Sequence, residues 1–124
     1  MSDAPSFVAS VYASVDSMDP SRMRPYMTDD CVFRFSNMPE VRGRDAFEAS
    51  AQQFYAMLSS VTHQVHQSWA TDDGHLVSQV TVTYRRRDGY ELTCPAAGIW
   101  RLTDGLISEY NVYVDNSSLF AQAA

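Results

Sequence analysis

The sequence predicts an α+β domain whose helices pack on one face of a curved antiparallel sheet, and two patterns carry that prediction. Apolar residues recur at helical spacing in two segments of the first half, and from Val61 onward long strand-like segments alternate with Gly-containing turns. Helices first and a strand meander afterwards is the order of an α+β domain. At 124 residues and 13.9 kDa the chain fits one core, and residues 1–124 read as one unit without repeats or linkers.

The first helix is predicted over 4–17, where Phe7, Val8, Val11, Tyr12 and Val15 fall on one stripe. Met18-Asp19 ends it, and Asp19 caps a second, short helix that Pro20 opens and Pro25 keeps brief. CVFRFS, alternating around Phe33 and Phe35, reads as a strand broken by Asn37-Met38-Pro39, with a short extended piece at 40–42 before Gly43. The strongest helix is predicted over 44–59, with Phe47, Ala51, Phe54, Tyr55 and Leu58 as its stripe. Four antiparallel strands follow at about 61–71, 75–87, 90–102 and 106–114. Asp72-Asp73-Gly74 and Thr103-Asp104-Gly105 suit three-residue hairpin loops, and Asp88-Gly89 a two-residue one.

Those loop lengths set the pairing register, and register decides which side chains share a face. They put His63, Val65, Gln67, Trp69, Val77, Gln79, Thr81, Thr83, Arg85, Leu92, Cys94, Ala96, Gly98, Trp100, Tyr110, Val112 and Val114 on one face. Val80, Val82, Tyr84, Ala97, Ile99 and Tyr113 fall on the other. The first set has the makeup of a ligand cavity: large rings at Trp69, Trp100 and Tyr110, small residues at Cys94, Ala96 and Gly98, and isolated polar groups at His63, Gln67, Gln79, Thr81 and Thr83. An ordinary core sheet would carry Val, Ile and Leu at such central positions, because empty volume is costly. No carboxylate falls in this set.

Composition narrows the function. There are 15 acidic residues against 9 basic ones, a formal charge of −6, and every basic residue is arginine. The absence of lysine excludes Schiff-base chemistry and a P-loop lysine, and the acidic balance argues against a nucleic-acid partner. No apolar run approaches the ~20 residues of a membrane span, and MSDAPSFVAS carries an acid where a secretion signal is positive, so the expectation is a cytoplasmic protein without a membrane partner. Cys31 and Cys94, in strand-like segments, are expected as buried thiols that do not pair with each other. His63 and His66 stand three apart on a strand and so point to opposite faces, which leaves no metal site. Dinucleotide and nucleophile-elbow motifs are missing, and no cofactor is expected.

Two helices, then TDDCVFRFSNMPEVRGRDAFEASAQQFY, then the meander ending in IWRLTDGLISEYNVYVDNSSLF, together resemble the nuclear-transport-factor-2-like superfamily, in particular its SnoaL-like branch. Ketosteroid isomerase, polyketide cyclases and limonene-epoxide hydrolase are members. The resemblance implies a cone: a strongly bent sheet wrapped around a pocket that helices close on its concave face (the cystatin-like fold), with a homodimer formed through the convex face. Carried over residue by residue, it leaves little of the known machinery. The isomerase's general base falls on Phe35 and its oxyanion acid near Gly98, while its oxyanion tyrosine is matched by Tyr12. The hydrolase's proton relay falls on Thr81, Thr83 and Val112, and only its water-orienting asparagine is matched, by Asn37. The cyclases' acid/base carboxylate has its nearest counterpart in Asp115, which the register points to the convex side.

The candidate catalytic groups are therefore His63, the one inner-face side chain that titrates near neutrality, with Asn37, Tyr12 and Tyr110 to hold an oxygen. The candidate ligand-binding residues are Phe33, Phe35, Trp69, Gln79, Thr81, Thr83, Cys94, Gly98, Trp100 and Val112. Three functions stay open: a cofactor-free isomerase, cyclase or dehydratase acting on a small apolar or aromatic, oxygenated molecule; a non-catalytic binding module; or an assembly domain.

Overall fold

The computed structural model describes residues 4–121. Helix α1 spans Ala4–Asp16 and α2 spans Arg44–Ala56, with a 3-10 turn, Pro20–Tyr26, between them. Strands β1 (Met27–Phe35), β2 (Val41–Arg42), β3 (Leu58–Ala70), β4 (His75–Arg86), β5 (Glu91–Thr103) and β6 (Leu106–Val114) form one curved sheet in the order β2-β1-β6-β5-β4-β3. A second 3-10 turn, Ser117–Phe120, follows β6. The expected α+β architecture is the observed one, with a parallel pairing of β1 to β6 that no local pattern announces.

Each helix buries the stripe its spacing predicts. Val8, Val11 and Tyr12 of α1, and Phe47, Ala51 and Tyr55 of α2, sit in the core. Asp19 caps the 3-10 turn by accepting the Ser21 N–H at 3.1 Å. α2 stops three residues earlier than its periodicity suggests, because Leu58 is fully buried as the first residue of β3 and Arg87 donates its N–H to the Met57 carbonyl at 3.1 Å. Arg86 binds the carbonyls of Leu119 and Ala121 at 2.9 and 3.0 Å, which ties the second 3-10 turn to β4. Cys31 and Cys94 are free thiols. Cys31 is buried, and its thiol is pushed up to about 12 by that burial and then by the charges of Asp30 and Glu109.

The faces of β5 and β6 follow expectation, and that of β4 is reversed. The turn after β4 has three residues, with Arg86 donating to the Tyr90 carbonyl at 2.8 Å, so Val82 lies opposite Cys94 and Val80 opposite Ala96. One extra loop residue moves every β4 side chain to the other side. Leu76, Ser78, Val80, Val82 and Tyr84 point inward, whereas Val77, Gln79, Thr81, Thr83 and Arg85 face out. On β3 a bulge between Val65 and Gln67 does the opposite: Gln67 and Trp69 stay outside with Gln79 and Val77, yet His63 lies opposite Val82 and turns in. The last hairpin is a two-residue turn, with Asp104 and Gly105 at φ of 53° and 80°. A bulge between Arg101 and Leu102 makes the shift two residues, which keeps the face and places Trp100, not Gly98, opposite Tyr110.

Gly98 shows how tightly this inner face is packed. A Cβ there would lie 2.9 Å from Ser78 Oγ, 2.9 Å from Trp100 Nε1 and 3.0 Å from Tyr12 Oη. Two of those neighbours belong to rigid, buried rings that cannot swing aside. Gly98→Ala is expected to cost about 1–3 kcal/mol of stability, the usual penalty for overpacking a core, measured as a lower urea midpoint at unchanged m-value.

Candidate active site

A cavity of about 80 Å³ lies between α1, α2 and the concave face of the sheet. By the same measure one water needs ~10–15 Å³, so the space takes several waters or a compact organic group. Its wall is largely aromatic: Tyr12 from α1; Phe47, Phe54 and Tyr55 from α2; Phe33 and Phe35 from β1; Tyr84 from β4; and Tyr110 from β6. The rings brace one another. Phe33 meets Phe47 at 4.9 Å and Tyr110 at 5.5 Å, Phe54 meets Phe35 at 5.3 Å and Tyr84 at 5.8 Å, and Trp100 stacks behind Tyr110 at 5.2 Å.

His63 enters this wall from β3, and α1 brings it a partner that the face analysis of the strands does not include. The His63 Nδ1–H donates to Asp16 Oδ1 at 2.6 Å, while the His63 backbone N–H donates to Asp16 Oδ2 at 3.0 Å. Both carboxylate oxygens are thus committed to one residue, which fixes the ring's orientation and tautomer. Nε2 is left with the lone pair, and among the described residues it has no hydrogen-bond partner. The His63 side chain is 12% exposed and that of Asp16 25%, so the pair sits at the rim, largely shielded from solvent. The Tyr12 ring lies 4.7 Å from the imidazole and its hydroxyl shares a 2.7 Å hydrogen bond with Ser78.

The structure gathers only some of the expected residues. His63, Tyr12, Tyr110, Phe33, Phe35 and Val112 line the cavity. Trp100 is buried one layer back, against Tyr12 and Tyr110. Gly98 supplies the gap into which the Tyr12 hydroxyl fits, and Cys94 is half-buried on the same face beside Ala96. Asn37 lies exposed in the turn after β1, and its turn carries it away from the cavity. Trp69, at 46% exposure, and Gln79, Thr81 and Thr83 are on the outer face for the register reasons given above. There Thr81 bonds His66 at 2.6 Å and Thr83 bonds Thr93 at 3.0 Å. The expectation of a cavity lining without a carboxylate holds among the described residues: Asp16 stands behind His63, at the rim, and is not itself part of the lining. Its place was readable: Asp16 stands four residues after Tyr12 and shares its side of the helix. Tyr55 and Tyr84 are likewise cavity residues, the first on the predicted α2 stripe and the second displaced by the β4 slip.

The phenols are held in their protonated form. Burial comes first in raising Tyr12, Tyr55, Tyr84 and Tyr110 above the ordinary tyrosine value of 10.0, and the charge of Asp16 adds to it at Tyr12, Tyr55 and Tyr110. Each is therefore a hydrogen-bond donor at physiological pH. Tyr55 and Tyr110 have no hydrogen-bond partner among the described residues. Among those residues no group of three His, Cys, Asp or Glu could hold a metal ion, and no helix is long and apolar enough to cross a membrane.

A raised phenol value has a signed consequence. Below pH 10 folded and unfolded chains both keep these protons; above it the unfolded chain releases them first, so stability falls as pH rises. Tyrosinate absorbance is expected to show these four phenols ionising only with the alkaline unfolding transition, and titration of all of them in a chain still folded by near-ultraviolet circular dichroism would contradict their burial.

Residues 8–110 match the SnoaL-like domain family. No curated protein matches the chain significantly. A protein of Jannaschia sp. CCS1 assigned as a SnoaL-like polyketide cyclase superposes with a TM-score of 0.82 at 16% identity, over 94% of this chain and 88% of that one. A protein of Catenulispora acidiphila DSM 44928 with a ketosteroid-isomerase-like fold, solved in complex with trimethylamine, gives 0.84 at 18% identity, over 95% and 92%. An LEH-like epoxide hydrolase of M. tuberculosis gives 0.77 at 15% identity, over 94% and 86%. At these identities the likeness is one of fold.

Proposed function

Because this chain belongs to the SnoaL-like domain family, within the nuclear-transport-factor-2-like fold, we propose that its cavity is an active site for acid/base chemistry on a small, apolar, oxygenated molecule. The observation that carries the reading is the Asp16–His63 pair. A carboxylate that holds Nδ1–H leaves Nε2 as a directed proton acceptor at the cavity wall, and the same carboxylate stabilises the imidazolium once the proton has moved. Proton abstraction next to a carbonyl then places negative charge on an oxygen. Tyr110 and Tyr55 are phenols with unclaimed hydroxyls in the same wall and can donate to it, while the surrounding rings exclude water. Isomerisation, cyclisation and dehydration all begin with such a step, and this scheme uses the protein's own side chains throughout.

The test is deuterium incorporation beside the carbonyl of compact cyclic ketones in heavy water, followed by NMR. Wild-type protein is expected to accelerate exchange, and His63→Ala to lose roughly 10²–10⁴ of that rate. Asp16→Asn is expected to lower the rate and change its pH profile while ketone binding survives. Wild-type exchange no faster than that of His63→Ala protein would remove the catalytic role and leave a binding module.

The outer face of the sheet supports a second part of the proposal, a homodimer. Trp69 and Tyr113 are exposed there at 46% and 55%; Val77 and Ile99 continue the row from Trp69, and Tyr113 lies opposite Ala97 in the next outer row. Light scattering after size exclusion is expected to give twice the chain mass, and Trp69→Glu with Tyr113→Glu to give the monomer.

A further inference from the structure

We propose that the cavity is built to receive a small alkylated ammonium group, so that the oxygenated molecule it binds is not wholly apolar but carries one. The proposal rests on reading the cavity as the ligand site, but not on His63 being the catalyst. Three features of the wall lead to it.

The first is the aromatic enclosure. Phe54 meets Phe35 and Tyr84 at 74° and 83°, and Phe33 meets Phe47 at 82° while stacking on Phe35 at 28°, so the wall is a box that mixes steeply angled rings with a stacked pair. Such a box offers ring faces as well as edges to its contents. Aromatic faces are the negative ends of ring quadrupoles, and they attract a cation too diffuse to hold its own water.

The second is charge. The chain has nine arginines and no lysine, and no arginine lines the cavity. Among the described residues no carboxylate lines it either, and behind His63, one of the lining residues, stands the Asp16 carboxylate. Its field reaches across the space, since it opposes ionisation of Tyr12 on α1, Tyr55 on α2 and Tyr110 on β6. A ligand anion would meet the same opposition, and a ligand cation the reverse.

The third is fit and compatibility. The space is ringed by aromatic side chains on several sides, which suits a rounded group that presents methyls in every direction. A fully alkylated ammonium has no N–H to donate and so leaves the Nε2 lone pair of His63 unclaimed.

The experiment uses three compact, similarly shaped probes and the full chain: tetramethylammonium, tert-butanol and pivalate, titrated by NMR or calorimetry. Tetramethylammonium is expected to bind roughly 5- to 30-fold more tightly than tert-butanol, the range that desolvated cation–π contact supplies, and pivalate most weakly. Asp16→Asn is expected to shrink the ammonium preference without weakening tert-butanol. The order among the probes in wild-type protein stands even if that variant misfolds. Binding of tert-butanol or pivalate as tightly as tetramethylammonium would overturn the proposal. The two readings fail separately: ketone exchange without ammonium preference removes this one, and ammonium binding with exchange unaffected by His63→Ala removes the other.

Discussion

Four residues of α1 hold the site to the sheet. Tyr12 reaches Ser78 on β4 and Asp16 reaches His63 on β3, from neighbouring turns of one helix face. The apolar contacts of Val8 and Val11 bring the helix down, but apolar contact has no direction and would tolerate rotation or sliding. Two polar contacts, each with a partner that would otherwise be stranded, do not. They set the rotation of α1, and through it the position of the Tyr12 ring against His63 and Trp100, and the orientation of the imidazole itself. Gly98 is part of the same constraint, because only a residue without a Cβ lets Tyr12, Ser78 and Trp100 meet over β5.

The cavity follows from what α1 and α2 leave unfilled. A bent sheet encloses more volume than two short helices can occupy, and among the lining residues Ala96 on β5 and Ala51 on α2 are small. The rings around the gap hold each other apart through edge and face contacts, so the space does not collapse as a gap among flexible aliphatic chains would. Burial then fixes their chemistry: phenols in that setting donate protons to hydrogen bonds and do not give them up.

Charge is sorted by position. Most carboxylates lie in turns or on outer surfaces, where Asp19, Asp73, Asp88 and Asp115 fall below the ordinary carboxylate range through hydrogen bonds or ion pairs of their own loops. Asp16 spends both oxygens on His63, a residue of the cavity wall. An acidic chain thereby keeps its interior sparsely charged while giving one imidazole a defined tautomer.

The order of elements, the two amphipathic stripes, the capped turn at Asp19 and the inner face of β5 and β6 were legible in the sequence, because spacing and turn chemistry act over a few residues. So were His63, Tyr12, Tyr110, Phe33, Phe35 and Val112 as cavity residues. What the sequence could not state was decided over longer distances. One extra residue in the loop after β4 exchanged Gln79, Thr81 and Thr83 for Ser78, Val80 and Tyr84, and a bulge at Val65 returned His63 to the inside after Trp69 had been sent out. A pattern with apolar residues on both faces gives no local penalty for such slips; burial against α1 and α2 does. The parallel seating of β1 on β6 and the meeting of Asp16 with His63, 47 residues apart, likewise exist only after the sheet has curved beneath the helices. The sequence by itself determined the fold class and most of the cavity's rings, and tertiary packing alone made the acid and the histidine one site.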